Sequence, residues 1–277
     1  MTELLSVFDA LSMIPTWDPM DADVEELHGG QTNRTYQVRY RGLDYVLRLD
    51  SPQSRLFQFN RSLEVKILAN AHAAGIGPEV FYSDADAGVL LREFLPGRVW
   101  EEADLSSPKK LESMANVIRR GHEMPQTGIP IGLVGHASAY KKILDRRDGL
   151  HAFATECVAI VGSVSVRDDT VCGHNDIVAS NVIDCDGLKL IDWEYACDSD
   201  PMFDFASAIG YHNLSEVQSN VLLSAYLGGD SAEWRERLTD QIRVYDAIQW
   251  LWLAARHLVM PNLIQTRRLE ALQQRIK

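Results

Sequence analysis

The chain has 277 residues, of which 46% are hydrophobic, and its formal net charge is −12. This length fits one large domain or two modest ones, and the acidity disfavours nucleic acid as a partner, because phosphate groups are bound by basic surfaces. The first residues have no signal-peptide pattern, and the late apolar stretch is interrupted by Arg256 and His257. We therefore expect a cytoplasmic protein that does not insert into a membrane.

Four cysteines stand at positions 157, 172, 185 and 197. No two of them have the Cys-x-x-Cys spacing of a zinc site, and no pair of histidines accompanies them. We expect them to be small buried thiols in a reducing compartment.

The N-terminal part of the chain predicts a small, strand-rich lobe. Apolar residues from Leu4 to Leu11 predict a short helix, and a Gly-Gly turn then leads into the first strand. The next strand is predicted at 45–49, and apolar residues that recur every four positions predict a helix from about Arg55 to Ala74. Two more strands follow, at 79–82 and 88–94.

The pattern changes at residues 95–98, where Leu-Pro-Gly-Arg is the best candidate for a linker. The rest of the chain reads as helical, apart from short strands within roughly 170–193. The sequence therefore predicts an α+β protein with two lobes. Residues 1–94 form a small antiparallel-sheet N-lobe with one helix, and residues 95–277 form a larger, mainly helical C-lobe.

Two polar clusters lie among the short strands of the second half. Asp176 stands two residues after His174 and five before Asn181, and Asp192 ends a later strand. This spacing is typical of a kinase catalytic loop, in which one carboxylate accepts a hydroxyl proton while an amide and a second carboxylate hold Mg²⁺. A turn-capping Asp would explain one of these residues but not the set. Asp176 is therefore the predicted general base, and Asn181 and Asp192 are the predicted metal ligands.

The first half carries a candidate nucleotide site. The glycine turn is the predicted phosphate cover, through Gly29, Gly30, Thr32 and Asn33, although a Gly-Gly turn alone is more often a plain hairpin. Arg48 stands where a kinase strand carries a cation for the α- and β-phosphates.

One carboxylate and one backbone segment complete that candidate nucleotide site. Glu64, on the following helix, is the predicted partner of Arg48, whose alternative reading is an exposed strand residue. The strand end at Glu93 and Leu95 could bind an adenine edge, or it could be a simple linker.

The region after Asp192 favours a small acceptor over a protein. Only eight residues separate it from a helix that we expect to begin near Pro201, so no long activation segment fits there. Asn175 also replaces the arginine that pairs with an activation-loop phosphate in regulated protein kinases.

These motifs resemble the choline/ethanolamine kinases, which belong to the aminoglycoside-phosphotransferase-like superfamily. The resemblance is carried by residues 29–36, the Val-Leu-Arg of 46–48, residues 93–98, His174-Asn175-Asp176, residues 191–196 and residues 200–206. It extends from about residue 27 to about 206. Thiamine kinases share the stretch from Gly187 to Ala196 closely.

The resemblance implies a protein-kinase-like two-lobed fold, the cofactors ATP and Mg²⁺, and an amino alcohol as the substrate. It implies that Asp204 anchors the catalytic loop, and that Tyr195 and Trp252 enclose a substrate cation by ring contacts. Trp250 and Trp252 lie about 200° apart around a helix, so only one of them can face a pocket. Glu194 and the acidic surface would also favour a cation.

The predicted function is therefore ATP- and Mg²⁺-dependent phosphorylation of a small cationic alcohol, choline or ethanolamine first. Thiamine and aminoglycoside-type antibiotics are alternative acceptors. A non-catalytic nucleotide-binding protein with a kinase shell is an alternative of another class. The intact set of Asp176, Asn181 and Asp192 argues against that last alternative, because a degenerate shell has no need to keep all three.

Overall fold

A computed structural model describes residues 5–27, 33–51, 59–145, 149–165, 167–229, 231–259 and 263–277. Contacts between Cα atoms divide the chain into two compact units. The first unit comprises residues 1–100 and 180–196, and the second comprises residues 101–179 and 197–277. The predicted functional division between residues 94 and 95 remains a prediction.

An antiparallel sheet of five strands, in the order β1-β2-β3-β5-β4, forms the centre of the first unit. Its strands are β1 (Ala22–Leu27), β2 (Asn33–Tyr40), β3 (Leu43–Asp50), β4 (Val80–Asp84) and β5 (Val89–Glu93). Arg41 and Gly42 connect β2 to β3 with positive φ angles of 50° and 80°, the backbone of a two-residue hairpin that matches the strand twist. Alternate residues of the strands, such as Leu47 and Leu91, pack against helix α1 (Val7–Ser12).

Helix α2 extends from Arg61 to Ala73, so the predicted start near Arg55 is wrong. The side chain of Asn60 accepts a hydrogen bond from the Leu63 amide at 3.0 Å, which caps the helix there. Phe59 fits the apolar period but precedes this cap. Residues 52–58 lie outside the described part of the chain.

The segment 95–98 belongs to the first unit, and its role as a linker remains a prediction. Strand β6 (Arg98–Val99) pairs with β8 (Val182–Asp184), which in turn pairs with β9 (Leu188–Leu190). Gly97 lies so close to this ribbon that a Cβ atom there would be 2.5 Å from the carbonyl oxygen of Asp184. Sheet pairing and this close approach therefore hold 180–196 in the first unit.

The second unit is mainly helical, as the sequence predicts. Its helices are α3 (Pro108–His122), α4 (Leu133–Leu144), α5 (His151–Ser163), α6 (Pro201–His212), α7 (Glu216–Leu227), α8 (Ala232–Val259) and α9 (Leu263–Ile276). Strands β7 (Val171–Gly173) and β10 (Cys197–Ser199) form an antiparallel pair. Helix α6 begins at the predicted Pro201, where the Asp200 side chain accepts a hydrogen bond from the Met202 amide at 2.8 Å. Every residue of α6 from Pro201 to Gly210 is buried.

These elements confirm the predicted α+β class, with an antiparallel sheet and a helix followed by a largely helical part. Cys157 and Cys172 are buried, and Cys185 and Cys197 are half-buried. Among the helices that the structure describes, none is both long enough and apolar enough to cross a bilayer.

Candidate active site

The predicted pair of Arg48 and Glu64 is present in the first unit. Arg48 on β3 donates from Nη2 to Oε2 of Glu64 at 2.7 Å, and Nη1 donates to Oε1. Both side chains are buried. Burial alone would lower the pKa of Arg48 and raise the pKa of Glu64, but their mutual attraction outweighs burial and shifts each pKa in the opposite direction. The pair is therefore ionised on both sides, and its role toward a nucleotide remains a prediction.

A second arginine, which the sequence analysis does not single out, extends this pair. Arg61 donates from Nη1 to Oε2 of Glu64 at 2.9 Å and to Oε2 of Glu194 at 3.0 Å. The same Glu194 oxygen accepts a hydrogen bond from Nδ2 of Asn33 at 2.9 Å. The structure thus brings together three predicted site residues, Asn33, Glu64 and Glu194, through one unpredicted cation.

Glu194 occupies a buried position on the short helical turn 193–195. Burial and, next, the nearby Asp192 carboxylate together raise the pKa of Glu194 to about 7, against the opposing effect of Arg48 and Arg61. Its predicted contact with a substrate cation remains a prediction. Next to it, Tyr195 makes an edge-to-face contact with Phe59, with ring centroids 5.1 Å apart.

The two predicted metal ligands flank the β8–β9 pair of the first unit, since Asn181 directly precedes β8 and Asp192 follows β9. The carbonyl oxygen of Asn181 accepts a hydrogen bond from the Ile191 amide at 2.9 Å, which brings Asn181 close to the residue that precedes Asp192. Asp192 has the left-handed backbone conformation, with φ 66° and ψ 56°. The residues that the structure describes contain no group of three or more His, Cys, Asp or Glu side chains arranged to hold a metal ion. One amide and one carboxylate fit Mg²⁺, because this ion binds few protein ligands and completes its shell with water and phosphate oxygens.

The remaining predicted nucleotide contacts are partly outside the structure. Gly29, Gly30 and Thr32 lie outside the described residues, and Asn33 is the first residue of β2. At the end of β5, the Glu93 carboxylate accepts a hydrogen bond from the Glu79 amide at 3.1 Å, and Leu95 is buried. Adenine binding by Glu93 and Leu95 stays a prediction.

In the second unit, helix α6 binds the backbone of the catalytic loop. Asp204 accepts hydrogen bonds from the amides of His174 at 3.0 Å and Asn175 at 2.5 Å. Farther along α6, Ser207 Oγ accepts from the Ile177 amide at 2.9 Å, and His212 Nε2 accepts from the Ala179 amide at 3.0 Å. The predicted loop anchor Asp204 therefore does contact the loop, and Ser207 and His212 continue the same contact.

Asp204 is itself held by a histidine that the sequence analysis did not identify. His122 lies with Nε2 2.9 Å from Oδ2 of Asp204 and with Nδ1 2.8 Å from the Tyr226 hydroxyl. Burial alone would raise the pKa of Asp204, but the hydrogen bond to His122 and the charges of His122 and His174 lower it. Asp204 thus stays an anion that accepts from both backbone amides.

Asp176 is less buried than its neighbours in this loop. In the segment 172–179, the residues on both sides of Asp176 are buried, whereas Asp176 is half-buried. Its own amide donates to Nδ1 of His174 at 3.3 Å, and Asn175 has a left-handed φ of 66°. The side chain of Asp176 is therefore partly accessible, while the backbone of the loop is bound by α6.

The two late tryptophans differ as the helical geometry requires. Trp250 is 2% exposed and packs edge-to-face on Phe153, with ring centroids 4.6 Å apart. Trp252 is half-buried, and the Arg256 guanidinium lies 5.3 Å from its ring centroid. Trp250 is thus a core residue, and substrate binding by Trp252 remains a prediction.

A family model described as the phosphotransferase enzyme family matches residues 23–238, and the chain belongs to this family. This membership confirms the predicted enzyme class. The matched stretch includes all the predicted site residues except Trp252.

The chain is similar to LicA proteins and to solved structures of choline and ethanolamine kinases. Protein LicA of Haemophilus influenzae is 29% identical over 211 residues, which cover 72% of this chain and 61% of that protein, so the match spans about three fifths of the relative. A choline/ethanolamine kinase family protein from Mesorhizobium loti superposes with a TM-score of 0.74 at 22% identity, covering 96% of this chain and 90% of that chain. The choline kinase LicA from Streptococcus pneumoniae superposes with a TM-score of 0.75 at 20% identity, covering 91% and 94%. These similarities confirm the predicted resemblance and the kinase-like fold.

Proposed function

We propose that the protein is an ATP- and Mg²⁺-dependent phosphotransferase that phosphorylates the hydroxyl group of a small cationic alcohol, with choline or ethanolamine as the first candidates. The observation that carries this proposal is the half-buried Asp176 in a buried loop whose amides are bound by α6. Membership of the phosphotransferase enzyme family and the similarity to LicA support it.

Asp176 is the proposed general base. Its carboxylate would accept the proton of the substrate hydroxyl while that oxygen forms a bond to the γ-phosphorus of ATP. The bond between the γ-phosphorus and the bridging oxygen breaks, and ADP leaves with the electron pair. The protonated Asp176 then returns its proton to solvent.

Arg48 is the proposed cation for the α- and β-phosphates. Its bidentate contact with Glu64 fixes the plane of the guanidinium, and an arginine keeps its charge at any physiological pH. Asn181 and Asp192 would hold Mg²⁺, which offsets the negative charge of the phosphates. These assignments are supported by the ionised state of the Arg48–Glu64 pair and by the position of Asn181 and Asp192, whose side-chain oxygens can bind a metal, on either side of the β8–β9 pair.

The proposed acceptor is cationic because the candidate substrate residues include aromatic rings. A desolvated cation over a ring gains about 0.5–2 kcal/mol, and Trp252 already carries the Arg256 guanidinium near its face. Tyr195 is the second proposed ring. The net charge of −12 adds a weak preference for positively charged ligands.

An acceptor screen tests this proposal. The protein is incubated with MgATP and, separately, with choline, ethanolamine, thiamine or an aminoglycoside, and ADP release is measured together with the mass of the product. With choline or ethanolamine, we expect a product that is about 80 Da heavier than the alcohol, because phosphorylation adds one HPO₃ group. Phosphorylation of only thiamine or the aminoglycoside would replace the proposed acceptor, and no product with any alcohol, although MgATP binds, would favour a non-catalytic protein.

A further inference from the structure

The guanidinium of Arg61 donates hydrogen bonds to side chains on four different elements of the first unit. Nε donates to Oδ2 of Asp50 at 3.0 Å, and Nη2 lies 2.7 Å from Oδ1 of the same carboxylate. Nη2 also donates to Oδ1 of Asn33 at 3.2 Å. Nη1 donates to Glu64 and to Glu194, as described above. The side chain is 8% exposed, and the Phe59 ring lies 4.5 Å from the guanidinium carbon.

The four partners of Arg61 are each adjacent to a proposed nucleotide contact. Asn33 ends the glycine turn, Glu64 holds Arg48, and Glu194 lies two residues after Asp192. Asp50 ends β3, the strand that carries Arg48. Asn33 also donates to the Glu194 oxygen that Arg61 contacts, so these three side chains form a closed ring of hydrogen bonds. One cation therefore links four elements of the first unit that carry or neighbour proposed nucleotide contacts.

The geometry requires an arginine rather than any cation. A planar guanidinium offers five N–H donors in a rigid fork, whereas an ammonium offers a single compact charge on a flexible stem. Without Arg61, the carboxylates of Glu64 and Glu194 would both still attract Arg48, since both already raise its pKa. Glu194 would then compete with Glu64 for the guanidinium that is proposed to bind phosphate.

We propose that Arg61 is a positioning residue for MgATP, which holds Asn33, Arg48 and the segment after Asp192 in one arrangement. This inference rests on the proposed function and assigns Glu194 to the nucleotide side instead of the acceptor side. Arg61 touches no reacting atom in this scheme. It acts through Glu64, Asn33 and Glu194.

The test compares three variants, Arg61→Ala, Arg61→Lys and the double variant Arg61→Ala/Glu194→Gln. We expect Arg61→Ala to raise the KM for MgATP by about tenfold or more, because truncating one member of a buried charge network leaves the other members unpaired. The KM for the alcohol should stay within about twofold. Arg61→Lys should recover part of the loss, and the double variant should be no worse than Arg61→Ala, because both changes remove the same link.

Arg237 of the second unit supplies a matched control. Its side chain is 5% exposed, it pairs with the two carboxylates of Asp169 and Asp200, and its guanidinium carbon lies 4.7 Å from the Trp234 ring centroid. Arg237→Ala should lower the unfolding temperature as Arg61→Ala does, but it should leave the KM for MgATP within about twofold. A purely structural role of Arg61 would make the two variants behave alike.

Nucleotide binding is also measured directly, by calorimetry with MgADP on folded protein, so that the result does not depend on the acceptor. A weaker MgADP affinity of Arg61→Ala supports the inference even if no alcohol is phosphorylated by the wild-type protein. An unchanged MgADP affinity and an unchanged KM for MgATP in a folded Arg61→Ala protein would overturn it, with the proposed function intact. A wild-type protein that binds neither MgATP nor MgADP would overturn both.

Discussion

The two units of this protein hold their functional groups in different ways. In the first unit, the groups are the ends of charged side chains, and Arg48 is fixed by its ion pair with Glu64, which Arg61 also contacts. In the second unit, α6 binds the backbone amides of the loop and leaves the Asp176 side chain half-buried. Substitutions among Arg48, Glu64 and Arg61 should therefore change both activity and stability, whereas a substitution of Asp176 should change activity alone.

The largest expected effect tests that separation. Asp176→Asn should lower turnover by about 10²–10⁴-fold, because the amide cannot accept the substrate proton. The unfolding temperature and the affinity for MgADP should change little, since the loop is held by its backbone. Steady-state kinetics, calorimetry and thermal unfolding on one protein batch give all three quantities. Turnover equal to that of the wild type would remove Asp176 from the role of base.

The anchor beneath the loop should behave in the opposite way. Asp204→Ala leaves the amides of His174 and Asn175 and the ring of His122 without their shared carboxylate. The free energy of unfolding should fall by about 3–5 kcal/mol, the usual cost of removing one member of a buried charged group. Urea unfolding measures this fall. Tyr226→Phe is the control, because it removes only the hydroxyl that contacts the far nitrogen of His122 and should cost about 1 kcal/mol.

Close packing of α6 against α8 should give a smaller effect. A Cβ atom on Gly210 would lie 2.7 Å from Cδ1 of the buried Tyr245, so Gly210→Ala forces that ring or the helix to move. We expect a loss of about 1–3 kcal/mol in unfolding free energy. Gly135→Ala in α4 is the matched control, because nothing lies within 4 Å of its added methyl group and alanine favours a helix. Equal stability of the two variants would show that α6 and α8 tolerate separation.

The smallest expected effect is a pH dependence at His212. Burial and, to a smaller extent, the charge of Arg268 together lower the pKa of His212 to about 4. Between about pH 6.5 and pH 4, His212 is therefore protonated in the unfolded chain but neutral in the folded chain. The contribution of His212 to the unfolding free energy is full above pH 6.5 and is lost as the pH falls. His212 is half-buried, so solvent screens part of this effect.

His212→Gln isolates that contribution. Glutamine can still accept the hydrogen bond from the Ala179 amide, but it does not titrate. The unfolding free energy of the wild type relative to this variant should be greatest at pH 7 and should fall as the pH drops toward 4.5, as measured by urea unfolding at each pH. Parallel pH profiles would mean that His212 is not the group that titrates.

Local sequence patterns predicted strands β2 to β5 and the helix start at Pro201, because these depend on side-chain periodicity and on capping residues nearby in the chain. They missed strand β1, and they predicted α2 too long, because Phe59 fits the apolar period but precedes the cap at Asn60. They could not place Gly97 against the β8 strand, because that close approach is a contact between distant residues.

The same reasoning explains which candidate site residues the sequence could indicate. The spacing of Asp176 and Asn181 is local, so the sequence alone predicted them, and their roles remain predictions. Arg61 meets Glu194 across 133 positions, and His122 meets Asp204 across 82, so no local pattern pairs them. A polar Asp204 and Ser207 within an otherwise apolar, buried helix was a signal that could have indicated an anchor.

By itself, the amino-acid sequence determined the fold class, the enzyme class and the order of the chemical groups along the chain, because periodicity, capping and motif spacing are properties of neighbouring residues. Tertiary structure alone decided the ionic partners: which carboxylates share Arg61, which amides Asp204 accepts from, and which tryptophan is buried in the core. Those pairings depend on which distant segments become buried together, since a charge removed from water must find its counterpart wherever the fold places one.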